Sequence, residues 1–236
     1  MTYRIFLAGA SGVIGYHLVP RLVRAGHSVV GMTRSTDKMD ALKAQGVEPV
    51  LVDVFDRRAL IAAVAAARPN VVLHQLTDLP DGLDQAKMAE HIDRNARIRE
   101  EGTNNLVAAA LAAGVDRMVA QSIAWVYAPG PEPHLESDPL DLSARGVRAI
   151  TVRGVVALEM AVLHSPPLSG VVLRYGALYG EGTGFDLPRS DVASVHVTTA
   201  ADAAVLAVER PVTGIFNIAN PGPWVSTRRA EQELGW

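Results

Sequence analysis

The chain has 236 residues, 49% of them hydrophobic and 20% charged, with a formal net charge of −3 and no cysteine. That length suffices for one large domain with a full core. The small net charge supplies no basic face for nucleic acid, and the absence of cysteine excludes disulfides, thiolate zinc sites and a cysteine nucleophile. The apolar runs fall short of the ~20 residues of a membrane span. The first residues enter a strand directly, without a signal peptide's charged region and cleavage site. A soluble, cytoplasmic protein with no membrane partner is therefore expected.

In chain order, β-branched runs alternate with Ala/Leu-rich segments. Strands are predicted at 5–8, 27–32, 47–52, 71–76, 115–121 and 170–174. Helices are predicted at 13–25, 36–45, 57–67, 84–113 and 151–163. Apolar strands separated by helices imply a parallel sheet covered on both faces. Right-handed crossovers then give a Rossmann-type doubly wound α/β fold. A dinucleotide-binding domain over 1–165 and a small C-terminal substrate-binding portion over 166–236, within the same compact unit, are the expected divisions. Two loops break the rhythm, 128–139 with four prolines and 180–190 with Gly and Pro. Both follow strands, on the side where doubly wound sheets bind ligands.

Gly9, Gly12 and Gly15 lie between the first strand and the first helix. Gly9 permits a tight turn, Gly12 lets backbone approach a pyrophosphate, and Gly15 allows close helix–sheet contact. Ser11, Val13 and Ile14 lie within the same loop and first turn, whose free amides and helix dipole favour phosphate. At the end of the second strand stand Arg34 and Ser35, with Lys38 close behind, where an NAD site usually carries a carboxylate. A guanidinium beside a hydroxyl suits a 2′-phosphate, so NADP is expected over NAD, with a solvated Arg34 and an indifferent site as the alternative. Asp53, followed by Val54, is placed for an adenine amino group or, equally, as a helix cap. His74, Gln75 and Leu76 are expected to line the cofactor's floor, or His74 to be a satisfied core histidine.

These residues resemble the extended short-chain dehydrogenase/reductases, the NAD(P)-dependent epimerase/dehydratase family. The resemblance rests on the 9–15 loop, the Asp53 turn and Glu101-Gly-Thr-Asn-Asn-Leu106. It continues through Ser122-Ile-Ala-Trp-Val-Tyr127, Leu173-Arg-Tyr-Gly-Ala-Leu-Tyr-Gly180, His196, Gly214-Ile-Phe-Asn-Ile-Ala219 and Glu233-Leu-Gly-Trp236. It implies a nicotinamide cofactor, a small-molecule substrate and a homodimer built through the long helices after the fourth and fifth strands. The stretches 106–111 and 155–163 offer apolar faces for that dimer, or for ordinary packing on the sheet.

The family's tyrosine–lysine pair is missing. Anchoring on Glu159 puts Thr151 at the tyrosine position and Val155 at the lysine position, and no lysine follows Lys87. Two threonines, Thr198 and Thr199, replace the aspartates that usually follow the late histidine. The short C-terminal portion favours a small or compact substrate. Acid–base candidates are then Ser122, one residue off the usual serine, Tyr127 with Arg174 lowering its pKa, and His134 with Glu136 in a loop able to close over the site. Trp125, Tyr179 and His196 are candidate substrate contacts, and no metal site is expected. The leading expectation is an oxidoreductase or epimerase/dehydratase. A non-redox isomerase, cyclase or lyase, or a silent NADP-binding sensor, are the alternatives.

Overall fold

The computed structural model describes residues 1–84 and 86–236. Seven strands form one parallel sheet in the order β3-β2-β1-β4-β5-β6-β9. They are β1 (Arg4–Ala8), β2 (Ser28–Thr33), β3 (Glu48–Leu51), β4 (Val71–His74), β5 (Arg117–Ile123), β6 (Ser169–Tyr175) and β9 (Gly214–Ile218). The helices are α1 (Val13–Arg24), α2 (Met39–Ala44), α3 (Arg57–Ala67), α4 (Met88–Arg97), α5 (Thr103–Ala112), α6 (Gly146–Leu163) and α7 (Val197–Glu209). A small parallel pair, β7 (Ala177–Tyr179) and β8 (Ser194–His196), lies outside the main sheet. This is the Rossmann-type doubly wound fold that the alternation implied. The main sheet runs across residue 165, because β6 pairs with β5 along its whole length.

Alternate residues of each strand feed two cores. Ile5, Leu7, Leu73, Val119, Leu173 and Phe216 pack with α1 and α7 on one face. Phe6, Met32, Val72, Met118, Ala120 and Val172 pack with α3, α5 and α6 on the other. The chain order reverses beside β1, since β2 and β3 lie to one side and β4 to the other. The crevice at that switch point opens at the carboxyl ends of β1 and β4, where the glycine loop begins.

The six expected strands are all present, with ends moved by a few residues. The fourth stops at His74, because Gln75 turns its carbonyl against Gly9. The expected 36–45 helix is a 3₁₀ turn, Thr36–Lys38, followed by the short α2. The long helix after β4 runs from Met88 to Ala112 and contains a π-helical turn, Ile98–Gly102. Helix α6 begins five residues earlier than the Thr151 expectation. Three strands, β7, β8 and the edge strand β9, and helix α7 were not predicted. Helix α7 opens on an unusual cap, the His196 ring accepting from the Thr198 amide. Strands β7 and β8 are only three residues each.

The stretches expected to offer a dimer face are largely turned inward. Leu106, Ala109, Ala110, Leu158 and Val162 pack onto the sheet, which leaves Leu111 and Met160 as exposed large apolar residues there. No helix among the described residues is long and apolar enough to cross a membrane.

Phe216 is fully buried on edge strand β9, with the Arg229 guanidinium 4.7 Å over its ring. Phe216→Ala is expected to lower the unfolding free energy by about 3–5 kcal/mol in urea titrations. A loss below about 1 kcal/mol would contradict this packing of β9.

Candidate active site

The glycine loop is shaped by close approach. Gly9 has φ +97°, and a Cβ there would lie 2.6 Å from the Gln75 carbonyl oxygen. A Cβ on Gly15 would strike the Gly9 and Ala10 carbonyls, so helix α1 sits directly on the loop. Gly12 donates to the Gly9 carbonyl and is the first flanking residue of α1. No side chain caps that helix and its first turn holds no acid. The amides of Val13, Ile14 and Gly15 therefore point away from the helix without intrahelical partners. Ser11 is half-buried beside them, while Gly12 and Val13 are exposed. This cradle, where a Cβ on Gly9 or Gly15 would strike backbone, fits a pyrophosphate. The segment after β7 lies against it, with His17 Nε2 donating to the Glu181 carbonyl at 3.1 Å and Gly184 backing onto Gly82.

Beyond β2 the backbone amide of Ser35 donates to Thr33 Oγ1 at 3.1 Å, which presents Arg34 outward. Arg34 is exposed and forms no hydrogen bond or ion pair among the described residues. Asp53 is exposed and accepts from the Phe55 amide at 2.9 Å. The cap of α3 is Asp56, which accepts from Ala59, so Asp53 is free of that alternative role. Val54 is buried and its carbonyl accepts from Asn105. The Arg97 guanidinium stacks over Phe55 at 4.0 Å and walls the same turn.

His74 is a core histidine. Its Nδ1 accepts from the Leu76 amide, so Nε2 carries the proton and donates to Thr103 Oγ1 at 2.9 Å. Burial, with the nearby Arg99 charge, holds its pKa down at about 3. Gln75 lies on the opposite face, its buried amide against the Tyr175 hydroxyl without a well-formed bond. Burial pushes the Tyr175 phenol well above its ordinary value. Leu76 is half-buried, and its carbonyl accepts weakly from Gln121 at 3.4 Å.

Ser122 and Tyr127 belong to one buried chain of polar groups. Ser122 Oγ donates to Glu159 Oε1 at 2.8 Å. Arg174 grips the same carboxylate through two bonds of 2.8 and 2.6 Å, both side chains being almost fully buried. A third Arg174 nitrogen donates to the Tyr127 hydroxyl at 2.8 Å, and that hydroxyl donates onward to Asn217 Oδ1 at 2.6 Å. The Asn217 amide donates to Glu136 at 2.9 Å. Arg174 is thus the expected cation beside Tyr127, but the expected lowering does not follow. Desolvation outweighs the arginine, and the phenol is pushed up.

The Pro-rich loop is pinned rather than free to close. His134 stacks on Tyr127 at 4.9 Å and bonds Asp138, and its backbone bridges Trp224 and Ser226. Tyr179 accepts from Asn220, and its ring meets His196 edge-on. His196 is held by its capping role and lies against Gly180. Trp125 is partly exposed. Val155 is wholly buried in a cluster with Val126 and Val152. Among the described residues no cluster of three His, Asp or Glu could hold a metal. A cavity of about 570 Å³ lies elsewhere, at the β6–β9 edge between Glu136, His164, Gly170 and Arg229.

Residues 5–195 match the family described as NAD dependent epimerase/dehydratase. The chain belongs to that family. It is 43% identical to a 3-diazoavenalumate denitrifying reductase of a Streptomyces species, over 93% of this chain and 77% of that one. In fold it matches UDP-glucose 4-epimerase of Thermotoga maritima at TM-score 0.77 and 18% identity, covering 100% and 93% of the two chains. The NAD complex of the Bordetella bronchiseptica enzyme WbmG gives 0.71 and 22%, covering 100% and 89%. An enzyme of the oxidoreductase/epimerase kind, using a nicotinamide cofactor, follows.

Sequence reasoning left Arg99 and Asn217 out of the site. Asn217 is signalled only by being polar within an apolar strand, and Arg99 carries no local signal, since the charged run Arg97–Glu101 around it reads as a solvated helix face.

His74 sets an acid dependence of stability in this family member. Its folded pKa lies below the unfolded value near 6.5, so the unfolded chain binds the extra proton between the two. Its contribution is complete above pH ~6.5 and falls by up to about 1.4 kcal/mol per unit as pH drops toward 3. Urea unfolding between pH 4 and 6 should be flatter by about that slope in His74→Gln. Parallel curves would contradict a buried neutral imidazole.

Proposed function

We propose that the protein is an NADPH-dependent reductase that delivers hydride to a compact substrate without taking a proton from a tyrosine. The observation that carries this reading is the full engagement of Ser122 and Tyr127. Both hydroxyls are tied to Glu159, Arg174 and Asn217 in a chain that would have to break before either could serve a substrate. No lysine after Lys87 is available to lower the phenol's pKa. The cofactor half is intact, so the site keeps its means of binding a nicotinamide while lacking the usual proton relay.

In this reading the amides of Ser11, Val13, Ile14 and Gly15 hold the pyrophosphate, and Gly12, its own amide bonded to Gly9, lets the backbone approach it. Arg34 and Ser35 hold a 2′-phosphate, which the exposed, unpaired guanidinium supports. NAD remains a weaker ligand. Asp53 and Val54 take the adenine, and Gln75 and Leu76 form the floor. Trp125, Tyr179 and His196 border the substrate. Ser122, Tyr127 and His134 act as positioning residues that set the mouth of β5. The cofactor, when bound, supplies the hydride. A homodimer in the cytoplasm completes the proposal.

The 43%-identical relative bears a name that fits this chemistry, a reductase of a diazo carboxylate that removes nitrogen. For a diazo-bearing arene in its diazonium form, hydride bonds to the carbon that carries nitrogen. The C–N bond breaks, and its electron pair leaves with dinitrogen. Charge and atoms balance with no proton transferred, so the absence of a tyrosine acid has no cost.

Two measurements test the reading. Titration with NADPH and NADH should give tighter NADPH binding, reduced about tenfold by Arg34→Ala with NADH unaffected. Equal NADPH affinity in the two proteins would sink the 2′-phosphate assignment. With 3-diazonio-4-hydroxybenzoate, nicotinamide absorbance should fall faster than without protein as dinitrogen forms. Tyr127→Phe should retain this rate to within about tenfold, because a lost general acid costs about 100-fold or more. A loss of that size would return Tyr127 to proton transfer. No turnover beyond the protein-free rate would refute the hydride reading.

A further inference from the structure

Among the described residues two arginines are buried, Arg174 and Arg99. Arg174 has every expected partner, as described above. Arg99 is only 8% exposed, and its guanidinium has no hydrogen bond and no ion pair among the described residues. Its nitrogens are not among the sealed polar atoms without a partner, so the group keeps a small opening to solvent through which an anion could meet a largely desolvated, unmatched charge. Burial lowers its pKa to about 10, which leaves it charged at neutral pH.

Its position is specific. Arg99 lies in the π-helical turn between α4 and α5, where the register of the helix changes. Its Cβ lies 3.4 Å from the point where a Cβ on Gly154 would stand, so its stem is pressed against α6 one residue before Val155. Its charge reaches His74, at the carboxyl end of β4, and Glu159 on α6. Neither answers it. His74 is neutral and bonded to Thr103, and Glu159 already receives two bonds from Arg174 and one from Ser122. The guanidinium therefore lies beside α6 and the end of β4, with its nitrogens not fully sealed from solvent. It stands on the α5–α6 face of the sheet, whereas the glycine loop and its phosphate-facing amides adjoin α1 on the other. The cofactor's phosphates consequently have their own donors.

We propose that Arg99 is a substrate-recognition residue that binds a carboxylate of the compact substrate at the β4–β5 end of the site. This rests on the hydride-transfer reading for the location of the substrate. A carboxylate is the anion whose two oxygens match a guanidinium fork, and a partly desolvated pair of that kind is strong. The bound carboxylate neutralises the unmatched charge and fixes one end of the substrate. Hydride can then reach only the carbon at the other end. Gly154 keeps α6 close enough to enclose the pair.

The test separates this proposal from the reaction by reading binding alone. Protein saturated with NADP⁺ is titrated calorimetrically with cinnamate and with cinnamamide, which differ in charge and little in shape. Wild type should bind cinnamate at least tenfold more tightly. Arg99→Met should bring cinnamate down to the affinity of the amide, and Arg99→Lys should restore part of the preference. NADPH affinity should be unchanged in both variants. A wild-type protein that binds the two ligands equally, or neither, overturns the proposal without recourse to any variant. So does an Arg99→Met protein that keeps the preference. Charge-dependent binding of cinnamate through Arg99 with no turnover of a diazonium substrate would uphold the carboxylate site and reject the hydride reading. Turnover without any effect of Arg99 would do the reverse.

Discussion

The Arg174–Glu159 pair holds the ligand end of this molecule in one piece. It ties strand β6 to helix α6 across a dry interface, with both side chains almost fully removed from water. Isolated buried pairs seldom add much stability, since desolvation of two ions offsets their attraction. This one is different in having further partners on both sides. Ser122 adds a donor to the carboxylate, and Tyr127 takes the remaining guanidinium edge. Through Asn217 and Glu136 the chain reaches edge strand β9 and the Pro-rich loop. Five separate segments are aligned by one continuous set of bonds, in which the loss of one member strands another buried polar group.

That arrangement constrains chemistry as well as shape. A phenol that donates to Asn217 and accepts from Arg174 has little reason to exchange a proton with a substrate. Its pKa moves upward despite the adjacent cation, because burial penalises the phenolate more than Arg174 rewards it. The same reasoning applies to Ser122, whose proton already rests on Glu159. Catalysis that depends on proton transfer would need these bonds broken, whereas hydride delivery with departure of a neutral leaving group needs none of them. On the proposed hydride reading, the missing lysine and the locked hydroxyls are two aspects of one condition, a site that needs no acid–base work.

Much of the architecture was legible in the residues. Strands such as Val71–His74 are apolar on both faces, and the long Ala/Leu segments between them leave a covered parallel sheet as the natural outcome. Gly9 and Gly15 were legible because backbone carbonyls stand where their Cβ atoms would be, and Gly12 by its spacing between them. The misses have physical causes. Helix α7 opens on a histidine cap, outside the usual Ser, Thr, Asp and Asn, so its start carried no recognisable signal. Helix α6 starts at Gly146 because the preceding turn is anchored by Arg148 on Asp141 and on the Trp125 and Tyr127 carbonyls, contacts that span long stretches of sequence. The Pro-rich loop read as a candidate cover, since prolines announce irregular backbone without saying what it packs on. Its pairing with Trp224 and Ser226 depends on residues ninety positions away.

The contrast between the two buried arginines completes the account. Both sit at the same end of the sheet, and both lie within reach of Glu159. The carboxylate cannot satisfy both. Arg174 approaches it with two parallel bonds, and its attraction to Glu159 and Tyr127 raises its affinity for the proton. Arg99 receives only the residual field, and burial lowers its proton affinity instead. Its polar neighbours His74, Thr103 and Glu159 are already committed to other partners, so none of them answers its charge. On the carboxylate proposal, the counter-charge arrives from outside the chain. Arg99 lies between α6 and the end of β4, the strand whose carboxyl end borders the glycine loop, so on that proposal the substrate's carboxylate and the cofactor share one end of the sheet.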